Sequence, residues 1–498
     1  MIKKIITTIL IGVLITFQVS CDDDIEVTGR ANTKKPVADF KIESDLYQAN
    51  QKIIFTDLSS DNDGFITEWN WNFGDGTISK EQSPEHFFAV GGTFKVILKV
   101  ADNTGSFSQE ITKVVTIADD PLANIADPEI LWSFTLDGKL NHSSPAVSDD
   151  GTVYIGFNQA ARENQGPDFV AIKNGNKVWE QVFFEGGAQK SDQVKSSPAI
   201  ASDGTIYSSS YYSRTVWHLS ASDGSIIGSK NLNTRMRYTS PTFASDGSVY
   251  IAGYSKNGKG FYSLDPTLNT VNWVFKQGTS FNATPAIATN GTIYIPSTDD
   301  FLYALNPDGT EKWSAEYGTW TATAIALSVD GTVYLSAETA TGGVLIAFDP
   351  SNGSEKWRNV LPAKVGHGGV AIAQDGTIYL GGYEEKMIAY NPDGTEKWSY
   401  AAKGAIETVP AIDNEGNIYF GDMAGFFHVV NPNGLNPYKV IKLGDEIHSS
   451  AVIGSDGAIY VAANEGGFGK VYALKTTATS LAQTGWPMFG KDAKHTGR

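Results

Sequence analysis

Eight residues of this chain stand at one fixed distance from eight glycines, and most of them carry polar side chains able to bind. The glycines are Gly151, Gly204, Gly247, Gly291, Gly331, Gly376, Gly416 and Gly457. Nine positions before them stand His142, Lys195, Tyr238, Asn282, Ala322, His367, Glu407 and His448. Three of the seven histidines of the chain fall in this single column. Imidazole and carboxylate suit a transition metal, which makes His142, His367, Glu407 and His448 candidate metal ligands. The same polar groups, with neighbouring Arg237 and Trp320, suit recognition of a sugar or a peptide. The competing reading is the polar lining of a water-filled channel. Tyr211, Tyr212 and Trp217 offer rings on which a sugar could stack, or which packing could bury.

These side chains converge only if the segments that carry them are equivalent. Each glycine is followed three residues later by tyrosine: Tyr154, Tyr207, Tyr250, Tyr294, Tyr334, Tyr379, Tyr419 and Tyr460. Successive glycines are 40 to 53 residues apart. A period near 40 with four short strands per unit is the mark of a β-propeller. One unit reads as an inner strand over Thr284–Ala288, a turn at Asn290-Gly291, a second strand over Thr292–Ile295 and a third over Leu302–Leu305. A turn at Asn306–Gly309 then leads to an outer strand beginning Glu311-Lys312-Trp313. The outer-strand tryptophan recurs at Trp179, Trp273, Trp313, Trp357 and Trp398, with Gly228 and Tyr438 in its place in the second and seventh repeats. The eighth repeat ends at Val471–Lys475 with no tryptophan after it, whereas Leu131-Trp132-Ser133-Phe134 precedes the first repeat unpaired. The 130–136 strand is therefore expected to complete the eighth blade and remove the exposed strand edges. These repeats resemble the PQQ-like repeats of quinoprotein-type propellers. The resemblance implies that the tryptophans lock neighbouring blades together rather than face a ligand. The tail around Gly485-Trp486-Pro487-Met488 resembles a segment found beside such repeats and is expected to pack on the propeller outside the blades.

Before the repeats, residues 36–118 alternate as strands, including Val37–Phe40, Lys52–Phe55 and Thr93–Val100. Trp71 and Phe73 should point into a core, with Trp69 on the same face by the two-residue period. Gly74 and Gly76 permit a tight turn in which Asp75 bonds backbone amides. Trp71-Asn72-Phe73-Gly74-Asp75-Gly76 resembles the signature of the PKD domain, which implies an immunoglobulin-like sandwich used as a spacer or interaction module. Asp61-Asn62-Asp63-Gly64 invites a calcium reading, but an EF-type loop needs Glu where Asn72 stands, and turn chemistry accounts for it.

Residues 1–20 read as a targeting segment: Lys3 and Lys4, an apolar run from Ile5 to Phe17, then Gln18-Val19-Ser20 before Cys21. Cys21 is the only cysteine, so no intrachain disulfide can form, and small residues followed by this cysteine resemble a bacterial lipoprotein processing site, which implies acylation at Cys21. Asp22-Asp23-Asp24 resembles the surface-export signal of Bacteroidetes lipoproteins. The expected order is signal peptide 1–20, flexible tether 21–35, sandwich 36–118, linker 119–129, eight-bladed propeller 130–477 and tail 478–498. The fold class is all-β.

A formal charge of −17 disfavours nucleic acid. The chain lacks the adjacent cysteine pair of quinone-dependent dehydrogenases, and no PQQ is expected. G-x-S-x-G, HExxH and a P-loop are missing too. The expectation is a non-enzymatic lipoprotein at the outer membrane or cell surface, binding a glycan or protein through a propeller face. An outer-membrane assembly scaffold, and a hydrolase or lyase using the His/Glu residues, are the alternatives.

Overall fold

The computed structural model describes residues 34–44, 47–49, 52–118, 128–159, 166–184, 192–254, 260–277, 280–318, 324–434, 437–476, 478 and 480–498. Cys21, the targeting segment, the acidic run after it and Trp320 lie outside the described residues, as does Ala322. Every regular element among those described is a β-strand. The chain divides into two compact units, Met1–Ala123 and Asn124–Arg498.

The first unit is a sandwich of a three-stranded and a four-stranded antiparallel sheet. Its core is built on the strand Ile66–Asn72, whose alternation sends Trp71 inward and carries on to Phe73; both are almost fully buried. Trp71 meets Phe40 edge-on, with ring centroids 5.0 Å apart, and its indole N–H donates to the Glu81 carbonyl at 2.9 Å. Trp69 packs against the same core, half-buried, its indole N–H bonded to Asp57 at 2.8 Å. Asp75 accepts from the Thr77 amide at 3.0 Å, which fixes the turn after this strand.

The second unit contains eight four-stranded sheets, seven of them consecutive in sequence. The eighth takes three strands from Val452–Ile453, Ile459–Glu465 and Phe468–Lys475 and its outer strand from Glu129–Thr135. Trp132 pairs with Ala473 in the register that Trp179 keeps with Ala171 and Trp313 with Ala304. It also lies 6.0 Å from Tyr460, matching the 5.6–5.8 Å between tyrosine and tryptophan in the blades of Trp179, Trp273, Trp313, Trp357 and Trp398. The expected latch is thus present. The inner strands are shorter than the sequence suggests: the fourth is Ala286–Ile287 alone.

Six of the eight seams between blades share one ring-over-glycine contact. Each outer-strand tryptophan lies over a turn glycine of the next blade, and five of them donate the indole N–H to a nearby carbonyl. Trp179 bonds Ala221 at 2.8 Å, Trp273 Pro307 at 3.0 Å, Trp313 Pro350 at 3.0 Å, Trp357 Pro392 at 2.9 Å and Trp398 Pro432 at 3.0 Å. The Trp132 ring covers Gly175 of blade one in the same way. The indole N–H groups leave water already paired, and the rings fill the space between sheets. In the second blade Gly228 takes the tryptophan position, and the carbonyl of Thr267 from the next blade comes close to it instead.

The tail belongs to no sheet, as expected, but it lies inside the ring rather than on its outside. Its carbonyls accept amides from six inner strands in ring order. Trp486 accepts from Ile372 at 2.8 Å and Pro487 from Ile412 at 2.8 Å. Ala493 accepts from Val147 at 2.7 Å, Lys494 from Ile200 at 2.9 Å, Thr496 from Phe243 at 3.3 Å and Gly497 from Ile287 at 2.9 Å. The six donors all stand four residues before a repeat glycine. Inner strands would otherwise present unpaired amides to the channel, and the tail satisfies them. Trp486, Met488 and His495 are buried.

Candidate functional site

A hydrogen-bonded belt of hydroxyls sets the inner strands at equal heights. At seven residues before the repeat glycine stand Ser144, Ser197, Ser240, Thr284 and Ser450, and each hydroxyl accepts an amide from the preceding blade. Val409 donates to Ser450 at 3.0 Å, Ser450 to Ser144 at 2.9 Å, Ser144 to Ser197 at 2.9 Å, Ser197 to Ser240 at 3.0 Å and Ser240 to Thr284 at 3.1 Å. Ala324, Gly369 and Val409 occupy this position in blades five to seven and offer no hydroxyl.

Two residues from the belt, the column read from the sequence converges as a cluster. His142 of blade one meets His367 of blade six and His448 of blade eight, with ring centroids 4.4 and 4.8 Å away. Tyr238 of blade three lies edge-on to both His142 and His367, at 4.8 and 4.5 Å. Glu407 of blade seven is buried among them. Its Oε2 is 3.1 Å from His448 Nδ1, its Oε1 accepts the Tyr383 hydroxyl, and His367 Nδ1 is 3.8 Å from Oε1. His448 Nε2 faces Glu446 at 3.4 Å. Tyr383 and Glu446 were not in the column; they reach it from loops whose course the repeat alignment does not specify.

His142, Lys195, Tyr238, His367, Glu407 and His448 line one cavity of about 40 Å³, together with hydroxyls of the belt. Phe489 of the tail is also in its wall, so the plug bounds the cavity from within the ring. At 10–15 Å³ per water, this is room for about three waters. Asn282 is buried but does not line it. Arg237 stands behind Tyr238, 4.5 Å from its ring and 2.6 Å from its hydroxyl. Lys195 holds its ammonium 4.6 Å over Tyr211, and Arg235 lies 5.0 Å from the same ring. Trp217 is stacked on Phe183 at 4.8 Å and bonds Ser210 at 2.9 Å, which makes it packing rather than a platform.

Burial pushes His142 down to about 3, and nearby His367 and His448 push the same way, so its imidazole is neutral at physiological pH. Burial opposes the charge on Glu407, but the neighbouring His367, His448 and Tyr383 outweigh it and hold the carboxyl well below its usual range. Burial likewise opposes the charge on His448, yet Glu407 and Glu446 win and raise it. Burial, with Arg237 and Arg235, lowers Lys195. Neutral imidazole beside ionised carboxylate is the state that binds cations.

Residues 33–117 match the family described as PKD domain. Residues 259–366 and 341–422 match the one described as outer membrane protein assembly factor BamB. Among curated proteins, Collagenase ColA of Bacillus cereus is 42% identical over 101 residues, 20% of this chain and 10% of that protein. Collagenase ColA of Clostridium perfringens is 32% identical over 96 residues, 19% and 9% of the two chains. The matched stretch thus spans about a tenth of those relatives. Of solved structures, BamB from Moraxella catarrhalis superposes with a TM-score of 0.53 at 16% identity, covering 70% of this chain and 99% of that one. The Dos1 propeller gives 0.56 at 12%, covering 71% and 97%. A europium-containing methanol dehydrogenase gives 0.54 at 13%, covering 69% and 85%. At these identities the likeness is one of fold.

Proposed function

We propose that this chain, which carries an N-terminal PKD domain followed by PQQ-like repeats of the BamB type, is a non-enzymatic scaffold of the cell envelope. Lipidated at Cys21 and held at the outer membrane, it binds a protein partner through the outside of its propeller. The observation that carries this reading is the plugged channel. A space of about 40 Å³ is far below the 300–1,000 Å³ of ordinary small-molecule pockets. Among the described residues the ring therefore offers a quinone-sized cofactor or a sugar no seat at its centre.

The exterior is not uniform. One residue before the tryptophan position, blades eight, one and two carry Leu131, Val178 and Ile227, each about half exposed. Blades four, five and six carry Lys312, Lys356 and Lys397 there. Outer strands have a free hydrogen-bonding edge, and charge normally guards such edges. An apolar arc along three consecutive edges suits an extended segment of a protein and gives a glycan little to bond. The match to an outer-membrane assembly factor supports the same class of partner.

The test is detergent extraction of the lipidated full-length protein from its native membrane. Envelope proteins should co-purify with it, and L131K/V178K/I227K should release them while keeping the native melting temperature. Retention by the triple variant, or saturable binding to a glycan panel with no protein partner, would overturn the proposal.

A further inference from the structure

We propose that the channel cluster is a site for one divalent transition-metal ion of the zinc class, ligated by His142, His367 and Glu407, with a further coordination position open to the cavity. One ligand atom from each of these residues lies within 4.8 Å of the other two. A tetrahedral ion with ligands at 2.0–2.2 Å needs such atoms about 3.4 Å apart, so inward movements of roughly 1 Å complete the site. Two nitrogens and one carboxylate oxygen match three-protein-ligand sites that keep an open position.

The surroundings are those of a built site. His142 and Tyr238 both hold left-handed backbone, with φ of 63° and 59°. For residues with a Cβ this conformation is strained, and such strain persists where surrounding structure enforces it. Here it turns the His142 ring into the cluster and the Tyr238 ring against both histidine ligands. Glu407 is oriented from two sides, by His448 at 3.1 Å and by the Tyr383 hydroxyl. Carboxylate ligands are held by just such outer partners. His448 is in turn anchored to Glu446 at 3.4 Å and acts as a positioning residue. The cavity has room for an ion and one or two waters. Lys195 in the cavity wall is turned onto the Tyr211 ring, and Arg237 is held on the Tyr238 hydroxyl. The ligands come from blades one, six and seven, whose spacing the plug and the docked tryptophans fix.

The probe is cobalt(II), with zinc as competitor, added to the chelator-stripped full-length protein. One equivalent per chain should bind saturably, give visible ligand-field bands of a four- or five-coordinate ion, and be displaced by zinc. Zinc should also raise the melting temperature of the wild-type protein, a readout that needs no variant. H142A and H367A should each weaken binding by more than about 100-fold, beyond the effect expected of an outer partner. H448A should weaken it about 10–100-fold, and H448Q should recover part of that loss. H218A, outside the cluster, should bind as wild type. No saturable uptake by wild type, or affinity unchanged in folded H142A or H367A, overturns the site.

Discussion

The backbone amide of Ser450 donates to the hydroxyl of Ser144 at 2.9 Å across 306 positions of sequence. This is the belt link between blades eight and one, at the seam that the Trp132 strand closes from outside. The ring is therefore sealed twice, by a ladder at its rim and by a hydroxyl at its centre.

Removing the inner seal should be measurable. Ser144→Ala leaves the buried Ser450 amide without its acceptor and should cost about 1–3 kcal/mol. Urea unfolding monitored by tryptophan fluorescence reads this directly. The exposed Ser222→Ala should stay within about 0.5 kcal/mol of wild type. Equal stability of the two variants would show that the belt bears no load.

The docked tryptophans make a sharper prediction. At Gly394, φ is +87°, and an added Cβ would stand 2.8 Å from the Trp357 ring. Gly394→Ala combines a backbone penalty of about 1 kcal/mol with displacement of the indole from the Pro392 carbonyl. A loss of about 2–4 kcal/mol is expected in the same assay. Gly204→Ala, where the added carbon meets nothing, should lose only the backbone part.

The plug gives the protein a pH dependence. His495 is buried in the tail, with Nδ1 2.8 Å from the Pro198 carbonyl, and burial pushes it down from 6.5 to about 4. Between those values the unfolded chain binds a proton that the folded one refuses. Its contribution is complete above pH 6.5 and is lost as the pH falls toward 4, by about 3 kcal/mol. The difference in unfolding free energy between wild type and His495→Gln, followed from pH 7 to pH 4, should therefore shrink. A constant difference would contradict the assignment.

The sandwich should melt by itself. Trp71→Ala removes the centre of its aromatic core and should cost about 3–5 kcal/mol. In calorimetry one transition should move down or vanish while a second, from the propeller, keeps its temperature. A single transition that shifts as a whole would show the two units to be coupled.

The repeat was legible because a propeller blade is specified locally. The Asn/Asp-Gly turn, the Tyr three residues on and the outer Trp each report their own neighbourhood, and Trp132 could be paired with Val471–Lys475 by what each lacked. The column His142, His367, Glu407 and His448 was legible for the same reason: equivalent positions in a closed ring point to one axis. Asn282 shares the column but not the cavity. Tyr383 and Glu446 reach the cluster from loops whose direction no period encodes. The tail was least legible, because its bonds use backbone carbonyls, which carry no residue-type signature. The belt, in contrast, stood in the sequence as Ser144, Ser197, Ser240, Thr284 and Ser450, a second column that alignment on the same glycines exposes.

The strand Glu129–Thr135 is made before any of the other seven blades, and its partner Phe468–Lys475 after all of them. During synthesis it is a bare edge carrying Ile130, Leu131 and Trp132, with the whole ring still to be threaded before it can pair. Closure then comes as a late, rare encounter between distant segments, slow for the entropic reason that governs long loops. A nascent molecule therefore passes through a long adhesive stage, and its yield in the cell should depend on a holding chaperone more than on the stability of the finished ring.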